Sequence, residues 1–174
     1  MTQITSHLTE ELPMWKFTEQ NAFDSISLHD CRADQIELDG NDLVLHFPDG
    51  FWITPASTYI NHDTPLKTGP AQVRIQSLGP FPALDSIDIL HPIRLFGKEL
   101  FCRRCQPETE DFLKLVNAPA FELEFISEYR NSVSALYECW IWQKGRSMYA
   151  ECQFHTVFKT IEYCWNEILP DREW

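Results

Sequence analysis

Apolar and polar positions alternate most regularly between Cys31 and Ile53. Ile36 and Leu38 alternate with Gln35 and Glu37, and Leu43, Leu45 and Phe47 alternate with Val44 and His46. A period of two is that of a strand with one face buried. Asp39-Gly40 fits a two-residue turn, and Pro48-Asp49-Gly50 a three-residue loop with glycine in the left-handed position. Together these signals predict a three-stranded meander. Its expected pairs are Ile36 with Leu43, Phe47 with Phe51 and Leu45 with Ile53, all apolar side chains sharing one face.

The second strong pattern covers Ser132–Phe158. Lys144-Gly145-Arg146-Ser147 suits a type II′ turn with Gly145 at its first central position. That turn fixes a register: Tyr137 opposite Phe154, Cys139 opposite Cys152 and Ile141 opposite Ala150 on one face. Glu138 opposite Gln153, Trp140 opposite Glu151 and Trp142 opposite Tyr149 make up the other. Further strands are expected over Phe23–Leu28, Ala71–Leu78, Ser86–Leu90, Ile93–Cys102 and Ala120–Glu128. In the last of these, Phe121, Leu123 and Phe125 oppose Glu122 and Glu124 across the strand. Pro92 argues against a central place for the Ser86–Leu90 strand. One helix is expected after Pro107, with Glu108, Glu110 and Asp111 at its start, Phe112, Leu115 and Val116 as its apolar side, and Asn117 and Pro119 ending it.

Three segments are less regular. Residues 1–21 carry little pattern, although Met14–Phe17 could add an edge strand. Thr54–Pro70 reads as a long loop. Lys159–Leu169 fits either period, and its aromatic and β-branched content tilts it to strand as far as Trp165. The expected fold is mainly β, an antiparallel sandwich or curled barrel-like sheet with one short helix. The alternative is α+β, should both the amino-terminal segment and the tail be helical. Residues 1–174 are expected to form a single globular domain.

Composition narrows the function classes. With 44% hydrophobic and 23% charged residues the chain is of ordinary globular make-up. No apolar run approaches the ~20 residues of a membrane span. The first residues, MTQITSHLTEEL, lack the basic and apolar regions of a secretory signal, and a cytoplasmic location is the default expectation. A net charge of −12 argues against nucleic-acid and anionic-membrane partners, and suits a basic protein partner. Six irregularly spaced cysteines fit reduced, mostly buried thiols.

Candidate chemistry is sparse. Cys102-Arg103-Arg104-Cys105 is a lone CxxC without the second ligand pair of a zinc site, so no bound metal is expected. His29-Asp30 could act as a base and its orienter only if a bulge or turn brings adjacent residues together. His46 and His155 read as surface imidazoles, and Cys139 with Cys152 as two small apolar core residues. There is no nucleophile elbow, phosphate loop or metalloprotease helix, hence no expected cofactor and no positive sign of an enzyme. The candidate binding face is the outer side of the hairpin. It comprises Trp140, Trp142 and Tyr149 with Glu138 and Glu151, extended by Glu122 and Glu124 if the strand from Ala120 is the neighbour. Large aromatics ringed by charge have the composition of a protein-binding hot spot.

Two function classes follow. One is a non-enzymatic acidic module that docks on, or neutralises, a basic protein. In size and charge alone the chain is similar to the small acidic immunity proteins that neutralise bacterial toxins. The other is a small-ligand-binding or catalytic β-barrel with a cavity lined by the inner aromatics. Where the tryptophans point separates the two.

Overall fold

The computed structural model describes residues 14–96, 98–145 and 149–174. In chain order its elements are β1 (Phe17–Gln20), β2 (Ile26–Ser27), β3 (Cys31–Ala33), β4 (Gln35–Asp39), β5 (Asp42–Phe47), β6 (Trp52–Ile53) and β7 (Leu66–Thr68). There follow β8 (Ala71–Ser77), β9 (Leu84–Leu95), β10 (Lys98–Cys105), α1 (Thr109–Val116), β11 (Phe121–Arg130), β12 (Ser134–Gln143), β13 (Tyr149–Trp165) and β14 (Ile168–Glu173). Among the described residues the fold is mainly β and antiparallel, with one helix and no closed barrel. Most of the expected 1–21 segment lies outside the described residues. Its described end forms β1, further along than the expected Met14–Phe17 strand.

Strand β13 organises the molecule. Over Tyr149–Val157 it pairs with β12, and over Glu151–Thr156 with β9. Its second half pairs with β8 from Phe158 to Trp165 and with β1 from Glu162 to Trp165. Beyond β8 lie β5 and β4, and beyond β12 lie β11 and β3. The tail is therefore strand as far as Trp165, as its β-branched and aromatic content predicts. Register shifts near His155 and Phe158 interrupt both ladders. Such irregularities bend and twist a strand, so β13 can serve two parts of a curled sheet. The curl brings Phe47 of β5 to 5.3 Å from Phe125 of β11, ring centre to ring centre. Phe125 also meets Tyr137 and Phe154, and Phe112 of α1 closes over Phe154. Each of these side chains is essentially inaccessible.

The meander expectation needs two corrections. First, Ile36 faces Leu45 and Leu38 faces Leu43, because the turn centres on Gly40-Asn41 rather than Asp39-Gly40. Gly40 takes φ +63°. The shift is by two in the paired sum, so the same side chains still face inward. Second, β5 pairs with β8, not with the segment after it. That segment, β6, joins β2, β7 and β14 in a separate four-stranded sheet. Gly50, at φ +70°, turns the chain away, and Phe51 exchanges bonds with Thr68 instead of Phe47. The expected long loop Thr54–Pro70 accordingly ends in strand, β7. The expected Phe23–Leu28 strand shrinks to β2.

Helix α1 starts where predicted, with Glu108 as its N-cap residue and acids in the first turn, and ends at Asn117. Phe112 and Val116 are its buried side. Asn117 then acts as a one-residue strand: its amide Nδ2–H donates to the Ile36 carbonyl, and its Oδ1 accepts from the Ile36 N–H, both at 2.7 Å. Pro92 falls past Leu90, the last β9 residue paired with β13, and faces Cys102 of β10. A residue without an N–H is tolerated there.

Candidate binding face

Hairpin β12–β13 has the register that its turn dictates: Trp142 opposite Tyr149, Trp140 opposite Glu151 and Glu138 opposite Gln153. Gly145 takes φ +76°, and the rest of the turn, Arg146 and Ser147, lies outside the described residues. Strand β11 is the neighbour on the other side, placing Glu122 opposite Trp142 and Glu124 opposite Trp140. All seven predicted residues therefore share the side of the sheet away from the core. The opposite rows, with Leu123, Cys139, Ile141, Cys152 and Phe154, are buried.

The aromatics form one stack. The Trp140 ring lies 4.5 Å from Tyr149 and 28° from parallel to it. Trp142 contacts Tyr149 at 5.0 Å and Trp140 edge-on at 5.7 Å. All three are half-buried. Such contacts contribute about 0.5–1.5 kcal/mol per pair beyond area burial. The indole N–H of Trp142 donates to Glu124, which Arg32 also approaches at 3.4 Å. Arg32 reaches Glu122 at 3.0 Å, and Lys144 reaches Glu122 at 3.6 Å. The β11 carboxylates are thus neutralised within the sheet. Among the described residues, Glu138 and Glu151 have no cation at ion-pair distance; Glu138 accepts from Gln153 at 3.1 Å. The face is an aromatic platform whose uncompensated charge sits along its β12–β13 side.

The other candidates separate. Cys102 and Cys105 lie in one continuous strand at odd spacing, so their thiols project to opposite sides of β10. They cannot chelate one ion together. Cys139 and Cys152 face each other as free thiols, both buried. Burial pushes the Cys139 thiol well up and the Cys152 thiol up to about 12. A left-handed turn at Asp30 (φ +55°) does bring its carboxylate to 3.7 Å from His29 Nδ1. That nitrogen, however, lies 2.7 Å from the Ile126 carbonyl oxygen, to which it donates. His46 pairs with Glu37 and His155 with Asp85, each at 3.0 Å.

One group was not legible beforehand. A bulge between Phe125 and Ser127 reverses the alternation of β11, so Glu128 falls opposite Tyr137 and Arg130 opposite Ala135, on the core side. Arg130 donates to the Tyr163 hydroxyl at 3.0 Å and the Phe23 carbonyl at 3.1 Å, covers the Phe23 ring, and lies 3.4 Å from Glu128. Burial raises the Glu128 carboxyl above the usual carboxylate range, against the opposing pull of Arg130 and Tyr137. Even spacing from Glu122 and Glu124 extrapolates Glu128 to the outer face, and nothing in the residue types announces the bulge.

Among the described residues no helix is long and apolar enough to cross a membrane. Compared with models of protein families, with curated proteins and with solved structures, the chain matches none.

Proposed function

We propose that this protein is a non-enzymatic, acidic protein-binding module whose working surface is the outer face of β11–β13, and that its partner is a basic protein. The observation that carries the reading is the stack of Trp140, Trp142 and Tyr149 on the solvent side of the sheet, beside the uncompensated Glu138 and Glu151. Preassembled aromatics lose little side-chain freedom on binding, which favours them as anchors. The net charge of −12 adds long-range attraction for a basic partner. Neutralisation of such a partner by occlusion would need nothing beyond this surface. The buried thiols of Cys31, Cys139, Cys152 and Cys164 fit a reducing, cytoplasmic setting. The ligand-cavity reading is less well supported, because the inner aromatics pack on one another and the sheet does not close.

Truncation tests the proposal. Trp140→Ala and Trp142→Ala are each expected to weaken binding to the basic partner by ~2 kcal/mol or more. Their own stability should fall by about 1–3 kcal/mol, since each loses two ring contacts and Trp142 also its bond to Glu124. Charge reversal at Glu138 and Glu151 should slow association and flatten its salt dependence. Calorimetric melting of the single variants is decisive without any partner. A loss of ~3–5 kcal/mol in both would mark them as core residues and end the binding-face reading.

A further inference from the structure

The acidic aromatic face would accept a basic, apolar-edged element, and the chain itself carries one. Strand β9 leaves β13 after Leu90, and from His91 onward its only partner among the described residues is β10. His91–Leu95 and Lys98–Arg103 therefore form a two-stranded arm beyond the main sheet. The core-facing row of β9, with Ile87 and Ile89, continues into the arm as Ile93 and Leu95, and Phe101 lies opposite Ile93. There the core has ended. Leu95 is 54% exposed, Leu100 57%, Phe101 60% and Phe96, at the tip, 97%. A two-stranded ribbon alone is marginally stable in water, and contiguous exposed apolar area of this kind marks a contact surface.

Charge selects the occupant. Residues 91–105 contain Arg94, Lys98, Arg103 and Arg104 against the single carboxylate Glu99, within a chain of net charge −12. Edge-to-edge pairing of two β10 strands would bring the Lys98 and Arg103 cations of one copy beside those of the other, which is unfavourable. Arg104 is held by Asp88 at 2.6 Å and Arg94 stands opposite Glu99, whereas Lys98 and Arg103 share the row of Ile93, Leu95 and Phe101. Apposed to the β11–β13 face, Lys98 and Arg103 meet Glu138 and Glu151, and that apolar row meets the Trp140–Tyr149 stack. Lysine and arginine over an indole face are themselves attracted by the ring. We propose that the β9–β10 arm docks on the acidic aromatic face of a second copy of this chain. Each copy then lends its arm to the other across a two-fold axis, which closes the assembly at a dimer. This rests on the reading of the β11–β13 face as a binding surface.

Sedimentation equilibrium of the full chain tests it. The expected result is a dimer at low salt that dissociates as added salt screens the charges. An arm variant, Lys98→Glu with Arg103→Glu, and a face variant, Glu138→Lys with Glu151→Lys, should each be monomeric. An equimolar mixture of the two should dimerise again, because every reversed arm then meets a reversed face. That rescue cannot come from misfolded chains. A wild-type protein that stays monomeric throughout would overturn the proposal, as would a dimer lost in the arm variant and kept in the face variant. So would a monomer that binds phosphatidylserine vesicles through Phe96 and Phe101. In none of these cases is the face's affinity for a separate basic protein affected, and the tryptophan variants test that independently.

Discussion

Gly40 and Gly50 share a left-handed backbone, yet their surroundings predict different costs of substitution. A Cβ on Gly40 meets nothing within 4 Å, so Gly40→Ala should cost only the conformational penalty, about 1 kcal/mol. A Cβ on Gly50 would collide with the Thr68 hydroxyl and with the Thr68 and Gly69 carbonyl oxygens, where the chain crosses into the second sheet. Gly50→Ala should cost ~3 kcal/mol or more, since backbone must move as well. Urea denaturation of the two variants reads the difference. Glu128 makes the other prediction at this scale. Its carboxyl is raised in the folded state, so between the unfolded and folded pKa values the native protein holds more proton than the unfolded chain. Stability contributed by Glu128 is therefore lost as pH rises through that window. Glu128→Gln should flatten that decline, in denaturation curves measured from the ordinary carboxylate range upward. An unchanged slope would mean that Arg130 compensates the charge in full.

Elements differ in how far they could be read beforehand, and the difference has physical causes. Hairpin β12–β13 was legible to the residue because Gly145 fixes a turn and a turn fixes every pair after it. The partner of β6 was not, because alternation tells which side of Phe51 and Ile53 is buried without telling which strand lies alongside. Both side chains are fully buried, but against the second sheet and Trp165 rather than beside β5. The bulge at Ile126 was invisible for a related reason: a single extra residue changes parity without changing composition. Consequently the outer half of the candidate site, Trp140, Trp142, Tyr149 and the four glutamates, followed from pattern alone. Arg32 and the inner Glu128–Arg130 group did not. At the edge of β4, Asn117 predicts its own importance. Asn117→Ala removes both of its bonds to Ile36, and should cost ~1–3 kcal/mol at about 1 kcal/mol per bond. Faster hydrogen exchange of the Ile36 amide, whose bond to Asn117 is lost, would report the opened edge.

Across the molecule, exchange should be ordered by distance from β13. Its amides between Cys152 and Tyr163 are flanked by strands on both sides for much of their length and sit over the filled core. They should be the last to exchange, while those of the arm, Ile93–Phe101, should be among the first unless a second copy covers them. Native-state exchange followed by mass spectrometry distinguishes the cases, and concentration-dependent protection of the arm would be an independent sign of association. The place of β13 in the chain also bears on synthesis. Strands β1, β8, β9 and β12 all leave the ribosome before the strand that joins them, and residues as far apart as Phe17 and Trp165 must meet before β1 has a partner. At about 5–20 residues per second, the early strands are exposed for seconds as unmatched edges. An arrested chain ending before Tyr149 could still pair β4 with β5 and β11 with β12, but it would lack the strand that joins β12, β9, β8 and β1, so the sheet is completed only once β13 has been made.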